Sequence, residues 1–165
     1  MLIYFLRHGD ASNDSRYNDD ERPLTDLGMR QANLVSVFLQ RMNVCVDAIL
    51  SSPYTRAQQT ALIVQAGSGK QQFVITEFLG VGADPQRLFD YLSELKISSV
   101  ILIGHEPNLS ETISLLTSET RDAGIQMKKC SLALVEAPTP ISPNEGLLNW
   151  LIPVDAIAKL IKDIE

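Results

Sequence analysis

The chain contains two histidines, and both stand where a buried strand would end. Leu2–Leu6 is a continuous apolar run that leads into Arg7-His8-Gly9, and Ser99–Ile103 leads into Gly104-His105-Glu106-Pro107. Most single histidines are structural. Two that share this placement, one of them preceded by an arginine, suit displacement at phosphorus. A neutral imidazole attacks, while guanidinium groups neutralise charge on the equatorial oxygens. Arg7 and Arg56 are the arginines for that clamp, because their planar forks bond phosphate bidentately and a lysine cannot. Their charge also favours the neutral, nucleophilic form of His8. His105 would donate to the transferring phosphoryl group, helped by backbone N–H groups of a helix that follows it. The plainer readings are a solvated helix-start arginine for Arg56 and a strand-end hydrogen bond for His105.

Positioning these residues requires strands that end side by side. Asp47–Ser51 reads as a second strand, Phe73–Ile75 as a short third and Ser99–Ile103 as a fully buried fourth, with Ser131–Val135 and Leu147–Ile152 further on. Helices are predicted between them. Thr25 is the N-cap of one carrying Leu27, Leu34, Val35, Phe38 and Met42. Pro53 opens one carrying Arg56, Ala57, Thr60, Ala61 and Ile63. Pro85–Leu95 turns Leu88, Phe89 and Leu92 inward, another helix begins near Pro107, and a short amphipathic helix closes the chain. Gly67-Ser68-Gly69-Lys70 reads as a loop and Asn18–Glu21 as a solvated acidic one. The expected fold is α/β in three layers, a mostly parallel sheet with helices on both faces, as a single domain over 1–165. Ligands of such sheets bind outside the C-terminal strand ends, where Arg7-His8, Ser52-Pro53 and Gly104-His105 all fall.

Four segments in this order resemble the motifs of the histidine phosphatase superfamily: Leu6-Arg7-His8-Gly9, Pro23-Leu24-Thr25-Asp26-Leu27-Gly28, Ser51-Ser52-Pro53-Tyr54-Thr55-Arg56-Ala57-Gln58-Gln59-Thr60-Ala61 and Gly104-His105. The resemblance implies a phosphorylated nucleophile at His8, with Arg7, Arg56 and His105 completing the phosphate pocket. It is narrower still to the SixA-type phosphohistidine phosphatases, on Arg7-His8-Gly9-Asp10-Ala11, Arg22-Pro23-Leu24-Thr25, Gly104-His105-Glu106-Pro107 and the short length. About thirty residues separate Gln65 from Ser99, where mutase-like relatives insert more helix over the site. By the same resemblance the general acid is Glu77, placed like the mutase-branch acid, or Glu106, placed like the acid-phosphatase carboxylate. Either could be structural, Glu106 as a partner of the helix dipole and Glu77 as a solvated strand-end residue. Asp10 is a third candidate.

Composition narrows the alternatives. With 45% hydrophobic and 21% charged residues the chain reads as globular, and a net charge of −6 disfavours a nucleic-acid partner. The apolar run at the N-terminus is too short for a signal peptide core, so a cytoplasmic location is expected, with Cys45 and Cys130 as free thiols. Neither cysteine has an arginine six residues on, which excludes the cysteine-phosphatase loop. No Cys/His cluster suggests zinc or a dinuclear centre, and no cofactor is expected. Gly67-Ser68-Gly69-Lys70 lacks the earlier glycine and the following hydroxyl of a phosphate-binding loop. The expected function is hydrolysis of phosphohistidine on proteins through a covalent intermediate, the partner being a phosphohistidine-bearing phosphotransfer domain. The alternatives are a small-phosphoester phosphatase or mutase on the same scaffold and a noncatalytic phosphoprotein-binding module. Recognition is assigned to a local basic site of Arg7, Arg22 and Arg56.

Overall fold

The computed structural model describes residues 1–68 and 72–162. Its elements are β1 (Leu2–Arg7), α1 (Asp26–Arg41), β2 (Ala48–Ser51), α2 (Thr55–Ser68), β3 (Gln72–Ile75), α3 (Pro85–Glu94), β4 (Ser99–Gly104), α4 (Asn108–Thr117), β5 (Leu132–Glu136), β6 (Leu147–Ile152) and α5 (Val154–Lys162). Two 3-10 turns, Asp19–Glu21 and Glu77–Leu79, interrupt the loops after β1 and β3. The six strands form one sheet in the order β3-β2-β4-β1-β5-β6. The first four run parallel, while β5 is antiparallel to β1 and β6 to β5. This is the predicted three-layer α/β architecture.

Alternation along the central strands supplies both faces. Ile3, Phe5, Val100 and Leu102 pack with Leu88, Phe89 and Leu92 of α3 and with Leu109, Ile113 and Leu116 of α4. Tyr4, Leu6, Ile101 and Ile103 pack on the other side with α1, α2 and α5, through Val35, Leu39, Ala57, Ala61 and Ile157. Every residue of β4 is buried, which explains why its sequence is a continuous apolar run rather than an alternating one.

Helix boundaries depart from the sequence reading in three places. The inward face of α1 is Gly28, Ala32, Val35, Ser36 and Leu39, so Leu27 and Met42 are exposed. Small residues occupy the near side because the helix comes close to the chain that follows β1. Pro53 lies two residues ahead of α2, in the turn after β2, and α2 continues through Ser68. Gly67 and Ser68 are therefore helical, and Gly69 and Lys70 lie outside the described residues. The predicted cap at Thr25 is present: its side chain accepts from the Gly28 N–H at 3.1 Å.

Candidate active site

Strand register brings the predicted residues together. Arg7 is paired with Gly104, and Ser51 with both Ile103 and Ile75, so β1, β4, β2 and β3 end nearly level. The ladder runs one step further: His8 N–H donates to Gly104 O at 3.1 Å, Ser52 N–H to Ile103 O at 2.9 Å and Thr76 N–H to Ser51 O at 2.9 Å. His8, Ser52 and His105 are consequently neighbours at one sheet edge, and α2 starts three residues beyond Ser52 to supply Arg56. The His8 and His105 rings lie 4.9 Å apart, centroid to centroid, and both are buried.

The chain after His8 is held by close approach. An added Cβ on Gly28 would sit 2.0 Å from Asp10 O, and one on Gly9 would sit 2.7 Å from Gly28 O. These two glycines let the start of α1 press directly on the loop after His8. Gly9 N–H also donates to Thr60 Oγ1 at 3.1 Å, and Thr60 Oγ1 donates to Arg56 O at 2.7 Å, tying this loop to α2. On the opposite side Cys130 N–H donates to Arg7 O and His8 O, with Cys130 at a φ of 52°.

The protonation of His8 follows from its partner. Its Nδ1 lies 2.7 Å from Gly9 O, and a carbonyl oxygen only accepts, so Nδ1 carries the proton and Nε2 keeps its lone pair. Arg56 Nε donates to that Nε2 at 3.3 Å. Burial, then the charges of His105, Arg56 and Arg7, hold the His8 pKa down at about 3, against an opposing pull from the Gly9 carbonyl. Burial and the arginines hold His105 down to about 4. Both rings are neutral near pH 7, as nucleophilic attack at phosphorus requires.

Arg56 is buried and donates to Asp19 O and, at 3.2 Å, to Asp19 Oδ2. Arg7 donates from Nη1 to Met127 O at 2.9 Å, while its Nε is buried without a partner. His105 Nδ1 is likewise buried without a partner. Orphaned buried polar groups are costly in a folded protein, and an anion at this sheet edge could satisfy both nitrogens. The Tyr54 ring packs against His105 at 4.8 Å and carries the Arg56 guanidinium over its face, also at 4.8 Å.

The carboxylates separate into three environments. Glu106 is half-buried, its Oε2 accepts from Ser110 Oγ at 2.6 Å, its Oε1 is buried without a partner, and burial pushes its pKa up despite Ser110 and Arg7. Glu77 is exposed and lines a cleft of about 310 Å³ with Asp19, Asp20, Pro53 and Tyr54. Asp10 accepts from Lys129 Nζ at 2.5 Å and from Thr25 Oγ1 at 2.7 Å, which hold its pKa below the ordinary carboxylate value and fit it poorly for proton donation. The Asn18–Glu21 run is exposed but not merely solvated, since Asp19 grips Arg56 and Arg22. Arg22 is correspondingly spent on Ser12 O, Asn13 Oδ1 and Asp19 Oδ1, and organises this loop rather than presenting a bare charge.

Sequence reasoning missed Asp19, for which no spacing signal exists, and gave no role to Ser52, Tyr54 or Thr60, although all three lie inside a quoted motif. Cys130 is buried and its thiol is pushed up to about 12, and Cys45 is exposed; both are free. Among the described residues, no group of three or more His, Cys, Asp and Glu side chains could hold a metal ion. No helix there is long and apolar enough to cross a membrane.

Known proteins are similar to this chain in sequence and in fold. The Escherichia coli phosphohistidine phosphatase SixA is 28% identical over 158 residues, 91% of this chain and 92% of its own. A solved structure of the protein histidine phosphatase SixA with tungstate superposes with a TM-score of 0.84 at 26% identity, over 97% of this chain and 99% of that one. The Haemophilus influenzae phosphohistidine phosphatase SixA homolog is 33% identical over 127 residues, 70% of this chain and 77% of the relative. The sequence profile of the histidine phosphatase superfamily (branch 1) matches residues 3–80, the stretch that holds Arg7, His8, Gly28 and Arg56. With the sheet-edge pocket and these relatives in agreement, the chain belongs to the histidine phosphatase superfamily.

Proposed function

We propose that this protein is a phosphatase that hydrolyses phosphohistidine on proteins, with His8 as covalent nucleophile. The observation that carries the reading is the His8 ring itself: Nδ1 is tied to the Gly9 carbonyl, Nε2 keeps its lone pair with only a long 3.3 Å contact from Arg56 Nε, and the ring centroid lies 4.9 Å from that of His105. Attack forms a bond from His8 Nε2 to phosphorus as the substrate's P–N bond breaks and its electron pair leaves with the imidazole. When the other nitrogen of that imidazole already bears a proton, the ring departs neutral and no strong general acid is required. Water then attacks the phosphorylated His8, its protons staying with the phosphate released, and the ring departs neutral because Nδ1 keeps its proton, hydrogen-bonded to Gly9 O. Arg7, Arg56 and His105 stabilise the equatorial oxygens in both steps, the work that a metal does elsewhere.

The setting of the pocket supports a protein substrate. Between α2 and β4 the described chain forms β3, one 3-10 turn and α3, and α3 buries Leu88, Phe89 and Leu92 in the core rather than folding over the cleft. The names of the Escherichia coli and Haemophilus influenzae relatives point the same way. The test is turnover of several phosphohistidine proteins, including phosphotransfer domains, beside phosphoserine, phosphotyrosine and sugar phosphates at matched enzyme concentration. The expected result is a higher kcat/KM for phosphohistidine protein. Preference for one metabolite with negligible turnover of every phosphohistidine protein would move the substrate to a small phosphoester and leave the His8 chemistry standing.

A further inference from the structure

Ser52 is fully buried against His105, and its Oγ has two neighbours. It stands 2.8 Å from His105 Nε2, and it accepts from the Tyr54 backbone N–H at 3.3 Å. The other ring nitrogen, His105 Nδ1, is buried and unpartnered. A hydroxyl has one proton to donate, and a neutral imidazole has one N–H and one lone pair. With the imidazole proton on Nε2, Ser52 Oγ would accept from both Tyr54 and His105. Its own O–H would then lack an acceptor in a fully buried position, and Nδ1 would meet a phosphoryl oxygen with a lone pair. With the proton on Nδ1, Ser52 donates to Nε2, accepts from Tyr54, and leaves Nδ1–H to meet that oxygen. Each arrangement leaves one buried donor unmet within the protein, Ser52 O–H in the first and Nδ1–H in the second, but the first also leaves the Nδ1 lone pair unmet and turns it toward the phosphoryl oxygen, so the second arrangement prevails.

The geometry points to Ser52 as a positioning residue that fixes His105 in its Nδ1–H tautomer, making Nδ1 the donor to the transferring phosphoryl group. The two active-site rings then hold the same tautomer and play opposite parts. His8 gives its Nδ1 proton to the Gly9 carbonyl and attacks through its Nε2 lone pair, whereas His105 gives its Nε2 lone pair to Ser52 and presents its proton. Burial, which keeps His105 neutral near pH 7, is what makes the choice of tautomer matter. Strand pairing fixes Ser52 for this task, because its N–H is held by Ile103 O at 2.9 Å. The part played by Nδ1–H rests on the phosphate pocket proposed above, but the tautomer can be read without turnover.

The experiment is long-range proton–nitrogen correlation on the full chain labelled with nitrogen-15 histidine, at pH 7.5, with His105 assigned by comparison with His8→Asn. His105 should show a protonated Nδ1 and an unprotonated Nε2, and inorganic phosphate should shift Nδ1. Ser52→Ala should move the proton wholly or partly to Nε2 and lower kcat for p-nitrophenyl phosphate roughly tenfold or more, while Ser52→Thr, which keeps the hydroxyl, should retain the wild-type tautomer. A wild-type spectrum with the proton on Nε2, or on both nitrogens, overturns the proposal whether or not the variants fold. An unchanged tautomer in folded Ser52→Ala overturns it too. The wild-type tautomer in a protein that turns over no phosphoester would instead remove the proposed function and leave the assignment of Ser52 intact.

Discussion

His8, Arg56 and His105 form the buried floor of the site, while Asp19, Asp20 and Glu77, which line the cleft at its mouth beside Tyr54, are exposed. The floor is fixed largely by backbone: strand ladders run through His8 and Ser52, two glycines lock the loop after His8 against α1, and the Thr60 side chain ties it to α2. The mouth is fixed by side chains: Asp19 grips Arg56 and Arg22, and Asn18 and Glu21 cap a three-residue turn. Backbone ladders tolerate little displacement, whereas exposed ion pairs contribute about 0–1 kcal/mol each and rearrange readily. The proposed chemistry, which depends on placement to a fraction of an ångström, therefore sits on the floor, and the mouth is left free to fit a leaving group.

The sharpest break in this comparison is at the nucleophile. His8→Ala should abolish turnover together with an acid-labile, alkali-stable phosphoenzyme, with circular dichroism unchanged. Persistent labelling in that variant would place the nucleophile elsewhere.

Arginine substitutions come next in size. Arg56→Ala should reduce kcat/KM by roughly 10²-fold or more, the loss expected for one strong transition-state contact, and EDTA should leave the wild-type rate unchanged. Asp19→Asn disturbs only the outer side of the same guanidinium, in a pair whose carboxylate is exposed, and should change kcat/KM by less than about fivefold. Equal losses in the two variants, measured in parallel, would show that floor and mouth act as one unit.

A third contrast is pH. The ordinary histidine pKa of 6.5 falls to about 3 at His8 and about 4 at His105, so below pH 6.5 the unfolded chain takes up protons that the native state refuses. Stability should therefore be level above pH 7 and decline as pH falls, by on the order of 1 kcal/mol per pH unit per histidine once below 6.5. The lowered carboxylates Asp10, Asp14, Asp19 and Asp47 add losses only near and below their ordinary value of 3.8, so the window from 6.5 to 5 reads chiefly the two histidines. Glu106, with its raised pKa, opposes the trend by binding its proton more tightly in the native state. Thermal unfolding of His8→Asn across that window should decline less steeply than wild type. An equal slope would mean that the ring is not held neutral by the fold.

The same division explains what could be read before any coordinates. Apolar runs ending in Arg7-His8 and Gly104-His105 marked the strand ends, and strand order then forces those ends together, so the floor was legible from local pattern. Val35 was placed correctly on the inward face of α1, but Leu27 and Met42, expected there by spacing, are exposed. The face of that helix is set by how closely Gly28 meets Asp10, a tertiary contact that hydrophobic spacing does not encode. Arg22 read as a free charge because its partners, Ser12 O, Asn13 and Asp19, are assembled by the loop itself. Asp19 belongs to a polar run like any solvated loop, and only its position over α2 shows that it holds Arg56.

Glu77 and Glu106 carry the smallest expected effect and bear most directly on where the floor ends and the mouth begins. Glu106 is bonded to Ser110 at the start of α4, and burial raises its pKa, so it holds a proton more readily than an ordinary carboxyl. Glu77 is exposed in the cleft beside Tyr54, so it is the better placed to meet a leaving group. A general acid matters in proportion to the basicity of what departs: an alkoxide needs the proton, whereas p-nitrophenolate and a protonated imidazole leave without it. Glu77→Gln and Glu106→Gln should each leave the rate with p-nitrophenyl phosphate and phosphohistidine within about threefold. Only the acid should show a loss near tenfold on phosphoserine. A selective loss in Glu77→Gln makes the mouth part of the chemistry, and one in Glu106→Gln extends the floor by one residue beyond His105. Uniform losses on all three substrates would mark the affected carboxylate as structural, and no selective loss in either variant would leave the P–N bond, which needs no acid, as the bond this pocket is built to break.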